Sequence, residues 1–322
     1  MNNLPLLLAA LALNGLVGAP PACAQGYPAR NVRIIVPFAP AGGTDIMARS
    51  LAQRLSENTG RQFVVENRPG ANALIGTEAV AKSAPDGYTL LITTNIFTIN
   101  PWLYPSVPFN VERDFAPITR AGATPNLLAG HPSIPVQTVK ELAALARARP
   151  GHLTIAASGS GTPSHLAAEL LRQTAKIDLL IVQYKGAGAS LNDVVGGQVA
   201  MSFSTLPSLV PFVRAGRLRA LAVSGAQRAA PVPEVPTVAE TLPGFEVVTW
   251  YGLFAPVGTP REIITRLHGE TVKALASPEM KQRFAAQGFD ADGNTPEQFV
   301  EVIRRDLARW KKVIAEARIK AE

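Results

Sequence analysis

Val32-Arg33-Ile34-Ile35-Val36-Pro37-Phe38-Ala39-Pro40-Ala41-Gly42-Gly43-Thr44-Asp45 is the stretch on which the fold turns. Its first five residues are β-branched apart from Arg33, the composition of a buried strand. The Pro and Gly residues that follow break the strand, and from Asp45 to residue 57 the apolar residues take up helical spacing. The same order, strand then glycine-rich turn then helix, recurs along the chain. Strands are expected at 63–66, 89–93, 153–157, 179–183, 199–203 and 218–223, and helices at 138–147, 163–173 and 190–195. Such alternation predicts an α/β architecture with largely parallel sheets. The chain closes with helices, the longest opening at Thr295-Pro296-Glu297-Gln298, where Thr at the cap, Pro at the first helical position and Gln at the third fit a capping box. The basic end of that helix, 309–312, reads as a solvated face. Crossings between two domains are expected near 121–124 and 245–250, so the second domain reads as an insertion into the first.

Three strand-to-helix turns share a chemistry. The first contains Phe38, Ala39, Gly42, Gly43 and Thr44, the second is Ser158-Gly159-Ser160-Gly161-Thr162, and the third is Tyr184-Lys185-Gly186. A helix start exposes N–H donors and a partial positive charge, and glycine lets a ligand approach the backbone closely. One such turn is most simply a tight connection in which Gly serves geometry. Three in one chain predict an anion-binding cleft beyond the strand ends. Asp45 is expected to favour its own helix start, with direct ligand contact as its lesser role. Thr94 and Asn95 stand at a strand end and are expected to donate into the cleft. Pro85-Asp86-Gly87-Tyr88 reads as a structural turn.

The N-terminus has its own logic. Leu4 begins a nearly uninterrupted apolar run to Val17, too short to span a bilayer, and Ala22-Cys23-Ala24 suits cleavage after Ala24. Residues 1–24 are therefore expected to be a secretory signal, although Met1-Asn2-Asn3 lacks the usual Lys or Arg, and the mature chain is expected to be exported and to start at Gln25. Cys23, the only cysteine, leaves with the leader. Lipidation of Cys23 is the lesser reading, because Pro20-Pro21-Ala22 lacks a large aliphatic residue three positions before it. Lys and Arg total 31 against 24 Asp and Glu, for a net charge of +7. The basic residues are scattered, which argues against nucleic acid and fits attraction of anionic solutes. His131, His152 and His268 are isolated, so neither a metal centre nor a cofactor is expected. A secreted α/β hydrolase using Ser160 and His165 is the alternative in a different class, but Gly159-Ser160-Gly161 is not a nucleophile elbow and no acid with evident spacing orients His165.

The turns and their neighbours resemble a known family. Val36-Pro37-Phe38 with Gly42-Gly43, Val65-Glu66-Asn67-Arg68-Pro69-Gly70-Ala71, Pro85-Asp86-Gly87-Tyr88-Thr89-Leu90, Tyr184-Lys185-Gly186, Gly196-Gly197-Gln198, Val235-Pro236-Thr237 and Trp250-Tyr251-Gly252 together resemble the tripartite tricarboxylate transporter receptors, the TctC-like or Bug solute-binding proteins. The resemblance covers essentially the whole mature chain. It implies a two-domain periplasmic-binding-protein fold, a type II-like Venus flytrap hinged about a ligand cleft. With the crossings above, the division becomes 25–122 and 249–322 for the first domain and 123–248 for the second. It also implies a non-enzymatic, monomeric periplasmic receptor that holds a small carboxylate through backbone N–H groups and bridging waters and passes it to membrane permease subunits. Carried onto this sequence, the carboxylate loops are Phe38 to Asp45 in the first domain, and Ser158 to Thr162 with Tyr184 to Gly186 in the second, with His165 and Ser204 also expected at the ligand. Departures from the family pattern are Asn72-Ala73 where Gly-Gly is common, and Ser202 and Ser204 where an apolar residue and an acid are common. Ser204 cannot pair with a ligand ammonium, so a carboxylate without one is expected.

Overall fold

A computed structural model describes residues 26–317 and 319. The expected leader and the expected start at Gln25 lie outside the described residues. The first lobe begins with β1 (Val32–Val36), α1 (Gly43–Thr59), β2 (Phe63–Asn67), α2 (Leu74–Ala81), β3 (Thr89–Thr94) and α3 (Ile96–Leu103). A long strand, β4 (Phe115–Gly130), leads into the second lobe, which holds α4 (Val139–Ala148), β5 (Thr154–Ala157), α5 (Pro163–Ala175), β6 (Leu180–Gln183), α6 (Ala187–Val195), β7 (Met201–Thr205), α7 (Leu206–Arg214) and β8 (Arg219–Val223). The chain returns through β9 (Val248–Pro256) to α8 (Arg261–Ala276), α9 (Pro278–Gln287), β10 (Asp290–Ala291) and α10 (Pro296–Ala317). The expected strands are all present, with ends shifted by at most two residues.

The sheet order is β2-β1-β3-β9-β4-β7-β5-β6, with β8 and β10 also on β4. The βαβ units give the expected parallel pairs β1–β2, β1–β3, β5–β6 and β5–β7. The expectation of largely parallel sheets is corrected at the centre, where β4 and β9 are antiparallel to every partner they have. β4 pairs with β9 from Phe115 to Pro125, then with β7 and β8 from Asn126 or Leu127 to Gly130. It therefore leaves one lobe and enters the other between Pro125 and Asn126.

Each lobe buries its own cores. Val32, Ile34, Leu90 and Ile92 of the first sheet pack on Met47, Leu51 and Leu55 of α1, while Phe97, Phe115, Phe254 and Phe299 fill its other face. In the second lobe, Leu127 and Leu128 of β4 point to opposite faces, as alternation in a strand requires, and enter two different cores. Burying each such Leu contributes about 1.5–3 kcal/mol. A fifth cluster joins the lobes: Leu166 of α5 packs with Ile99 and Leu103 of α3 and Trp310 and Ile314 of α10. Trp310 lies inside the stretch expected to be a solvated face, and is only 3% exposed. The basic residues of that stretch stand around a buried anchor. The α10 capping box is formed, with Gln298 N donating to Thr295 Oγ1 at 3.2 Å and Thr295 N to Gln298 Oε1 at 3.0 Å. Among the described residues no helix is long and apolar enough to cross a membrane.

Candidate functional site

Between the lobes lies a cavity of about 640 Å³, within the range of small-molecule sites. The first lobe contributes Phe38, Ala39, Gly42, Gly43 and Thr44 from the β1–α1 turn, the 69–73 loop before α2, and Thr94 at the end of β3. The second contributes Ser158, Gly159, Ser160 and Thr162 before α5, Tyr184, Lys185 and Gly186 before α6, and Ser204 with Thr205 at the end of β7. Asn126 and Thr249, one from each crossing strand, also line it. Lys185 is the one charged side chain in this lining, and no acid joins it among the described residues.

The helix starts give the cleft its electrostatics. α1 begins at Gly42 and α6 at Gly186, and neither start has a side-chain cap. They meet across the cleft: a Cβ added to Gly186 would stand 3.5 Å from Ala39 Cβ, and one on Gly42 4.0 Å from Ala187 Cβ. Each α-helix start carries roughly half a positive charge and first-turn N–H groups with no intrahelical partner. Two starts from opposite lobes thus converge on one region lined by neutral donors. α5 is finished differently, since Thr162 Oγ1 accepts from His165 N at 3.3 Å.

Four expected contacts stand behind the lining. Asp45 is 4% exposed; its Oδ2 accepts from Ala41 N and Arg49 Nε, both at 3.0 Å, and its Oδ1 from Asn67 Nδ2 at 2.9 Å. Burial pushes its carboxyl up, but these bonds outweigh burial and hold it below the usual carboxylate value. Asp45 therefore shapes the first turn, with its oxygens already occupied. Asn95 Nδ2 donates to Val248 O of β9 at 3.1 Å, tying α3 to the crossing strand. Gly161 N donates to His165 Nδ1 at 2.9 Å, so that N–H is engaged inside the protein. His165 is 5% exposed, and its Nε2 faces Glu169 Oε1 at 3.7 Å. Among the described residues no hydrogen bond joins His165 to Ser160, so a nucleophile–base pair is not formed. His165 instead braces the loop. Tyr184 lines the cleft, yet its hydroxyl donates to Asp193 Oδ2 at 2.6 Å; loss of water contact and Asp193 push its pKa up to about 12.

Gly43 and Gly161 are required by packing more than by ligand approach. A Cβ on Gly43 would meet Tyr251 Oη at 2.5 Å and Thr205 Oγ1 at 2.7 Å, and one on Gly161 would meet Leu103 Cδ2 at 2.3 Å. Sequence reasoning missed Asn72, Tyr104, Asn126, Gln183 and Thr249 as lining residues. Of these, only the departure at Asn72 had left a signal. The buried Oδ1 of Asn126 and Oε1 of Gln183 have no hydrogen-bond partner within the described protein, so the lining keeps polar capacity in reserve.

Residues 47–319 match the family described as tripartite tricarboxylate transporter family receptor. The chain belongs to that family. Among solved structures, the receptor is similar to R. palustris Rpa4515 with adipate, at 36% identity and a TM-score of 0.89, covering 92% of this chain and 100% of that one. It is similar to the periplasmic binding protein BugD at 31% identity and a TM-score of 0.88, over 92% and 100% of the two chains. MatC from Rhodopseudomonas palustris with bound malate matches at 30% identity and a TM-score of 0.84, over 89% and 100%. The receptor shares with these solute-binding proteins the fold of two α/β lobes about a cleft.

Proposed function

We propose that this chain is a periplasmic receptor without catalytic activity that closes its two domains, 25–122 with 249–322 and 123–248, around a small carboxylate lacking an ammonium group. As a monomer it delivers that solute to the permease subunits of a tripartite transporter. One observation carries the reading: two uncapped helix starts, α1 from one lobe and α6 from the other, face each other across a cleft with no acid in its lining. A carboxylate held there touches both lobes, which is the condition for a ligand to favour the closed state. Ser204, 6% exposed at the end of β7, is neutral, and Asp45 has its oxygens engaged, so among the described residues nothing in the lining balances an ammonium. The adipate and malate held by the similar receptors are dicarboxylates without one. The apolar leader supports export and cleavage before Gln25, which an intact mass of the exported protein checks; a lipid on Cys23 would contradict it.

A thermal-shift screen tests the ligand class. Adipate or malate at 100 times its dissociation constant should add about 2.7 kcal/mol of stability, with aspartate and glutamate giving far less. Equal stabilisation by the amino acids, or none by any carboxylate, would overturn the reading.

A further inference from the structure

The loop between β2 and α2 holds an unusual run of backbone. Ala71, Asn72 and Ala73 have φ of 44°, 53° and 72°, the left-handed region that non-glycine residues seldom enter and Asn enters most readily. Strain of this kind persists where surrounding contacts over-determine it. Here the contacts are side-chain amides. Asn100 of α3, 1% exposed, donates through Nδ2 to Asn72 O at 2.9 Å, and its Oδ1 accepts from Asn72 Nδ2 at 3.1 Å. The same Asn72 Nδ2 also donates to Ser160 O at 2.5 Å, across the cleft in the second lobe. Ser160 offers a carbonyl there, so the atom that faces it must be the amide nitrogen. An amide NH2 has two hydrogens, and both are committed: one within the first lobe, one between the lobes.

We infer that Asn72 is a cross-cleft latch, a positioning residue that holds the Ser158-Gly159-Ser160 loop against the first lobe when the receptor closes. The inference rests on the receptor reading above. Asn100 orients the Asn72 amide from within its own lobe, so the donor is set before the lobes meet and little freedom is lost on closing. When the lobes part, the bond to Ser160 breaks while the bonds to Asn100 remain. A contact present in the closed state and absent from the open one slows ligand release and leaves capture unchanged. One neutral hydrogen bond of ordinary net strength corresponds to about two- to tenfold in the release rate.

Stopped-flow binding of adipate to the wild-type chain, Asn72→Ala and Asn72→Gly tests this. Both variants remove the amide, and Asn72→Gly also relaxes the positive φ, which offsets part of the cost of leaving the buried Asn100 Oδ1 without its donor. The latch predicts that both release adipate about two to ten times faster than wild type, with association rates within about twofold. Unchanged release, or a loss confined to association, would overturn it. If wild type does not bind adipate, the receptor reading fails for that acid, and the same three chains are compared with malate and then with the strongest stabiliser in the thermal-shift screen; release no faster in the variants than in wild type would overturn the latch.

Discussion

α4, α9 and α10 begin away from the cleft, and each is finished by its own side chains: Thr138 Oγ1 accepts from Glu141 N at 3.1 Å, Ser277 Oγ from Met280 N at 3.4 Å, and Thr295 and Gln298 exchange their two bonds. α1 and α6 begin on the cleft with glycine at the cap and no side-chain oxygen in place. The backbone demand is the same in both settings, because every helix start leaves N–H groups to satisfy. At α4, α9 and α10 the chain satisfies them itself, whereas at α1 and α6 the first-turn N–H groups face the cleft without a side-chain cap. A missing side-chain cap alone does not mark a site, since α8 starts at Pro260 without one and does not line the cleft. What distinguishes α1 and α6 is that they come from different lobes and meet.

A large effect should also follow from disturbing the contact between the two lobes. Gly161→Val places a branched side chain at φ 69° with its Cβ 2.3 Å from Leu103 Cδ2 of the other lobe. Overpacking of this kind costs about 1–3 kcal/mol, roughly 5- to 150-fold in affinity if it falls on the closed state. Isothermal titration with adipate checks this, and Gly43→Val should behave alike because its Cβ meets Tyr251 and Thr205.

An acid outside the cleft sharpens the contrast with the acid-free lining. Asp306 of α10 accepts from Thr98 Oγ1 at 2.7 Å and Trp250 Nε1 at 3.0 Å, yet burial outweighs these bonds and pushes its carboxyl above the ordinary value. A raised folded pKa means that the charged form costs stability, and that stability is gained as the pH falls through that pKa towards the ordinary carboxylate value. Melting curves of wild type and Asp306→Asn from pH 7 downward should show wild type gaining on the variant. Parallel curves would contradict the buried-charge assignment.

The smallest effect belongs to Lys185. Its side chain is exposed, so Lys185→Ala should lower adipate affinity by less than about fivefold, and less still at high salt. A larger loss would move the recognition from backbone donors to a cation.

The parts of this receptor that were legible in its sequence are local. A β-branched run, a glycine turn and a helical period each announce themselves within about a dozen residues, which is why β1, α1 and the three cleft turns were readable. Crossings were expected near 121–124 and 245–250, but their character as long strands was not readable. β4 contains Pro117, Gly122 and Pro125, residues that argue against a strand interior. Pro117 is accommodated beside an irregularity in register, and Pro125 at the junction where β4 exchanges β9 for β7 and β8. Pro101 and Pro211 hid α3 and α7 in the same way. At the site, the first turn and most of the second and third were visible as motifs. Gly161 and His165 were expected at the ligand, and the bond between them, which engages Gly161 N inside the protein, was not readable because it depends on how the loop folds back. Asn72, Tyr104 and Asn126 were invisible as a group because only topology assembles them.

The α1 start faces the cleft without a side-chain cap, open to a ligand carboxylate, and Gly42 is where the chain can close it. Gly42 has φ −80° and ψ 167°, the conformation of an ordinary N-cap residue, and an added Cβ meets nothing nearer than 3.9 Å. Gly186, at φ 125°, offers no such opportunity. Gly42→Asp should therefore cap α1, raising stability by a few tenths of a kcal/mol, while its carboxylate takes the anion's place. Titrated with adipate, the Gly42→Asp receptor should remain stable and bind more than about a hundredfold more weakly, as like charges in one site require. A Gly42→Asp receptor that binds adipate as wild type does would contradict carboxylate binding at the α1 start.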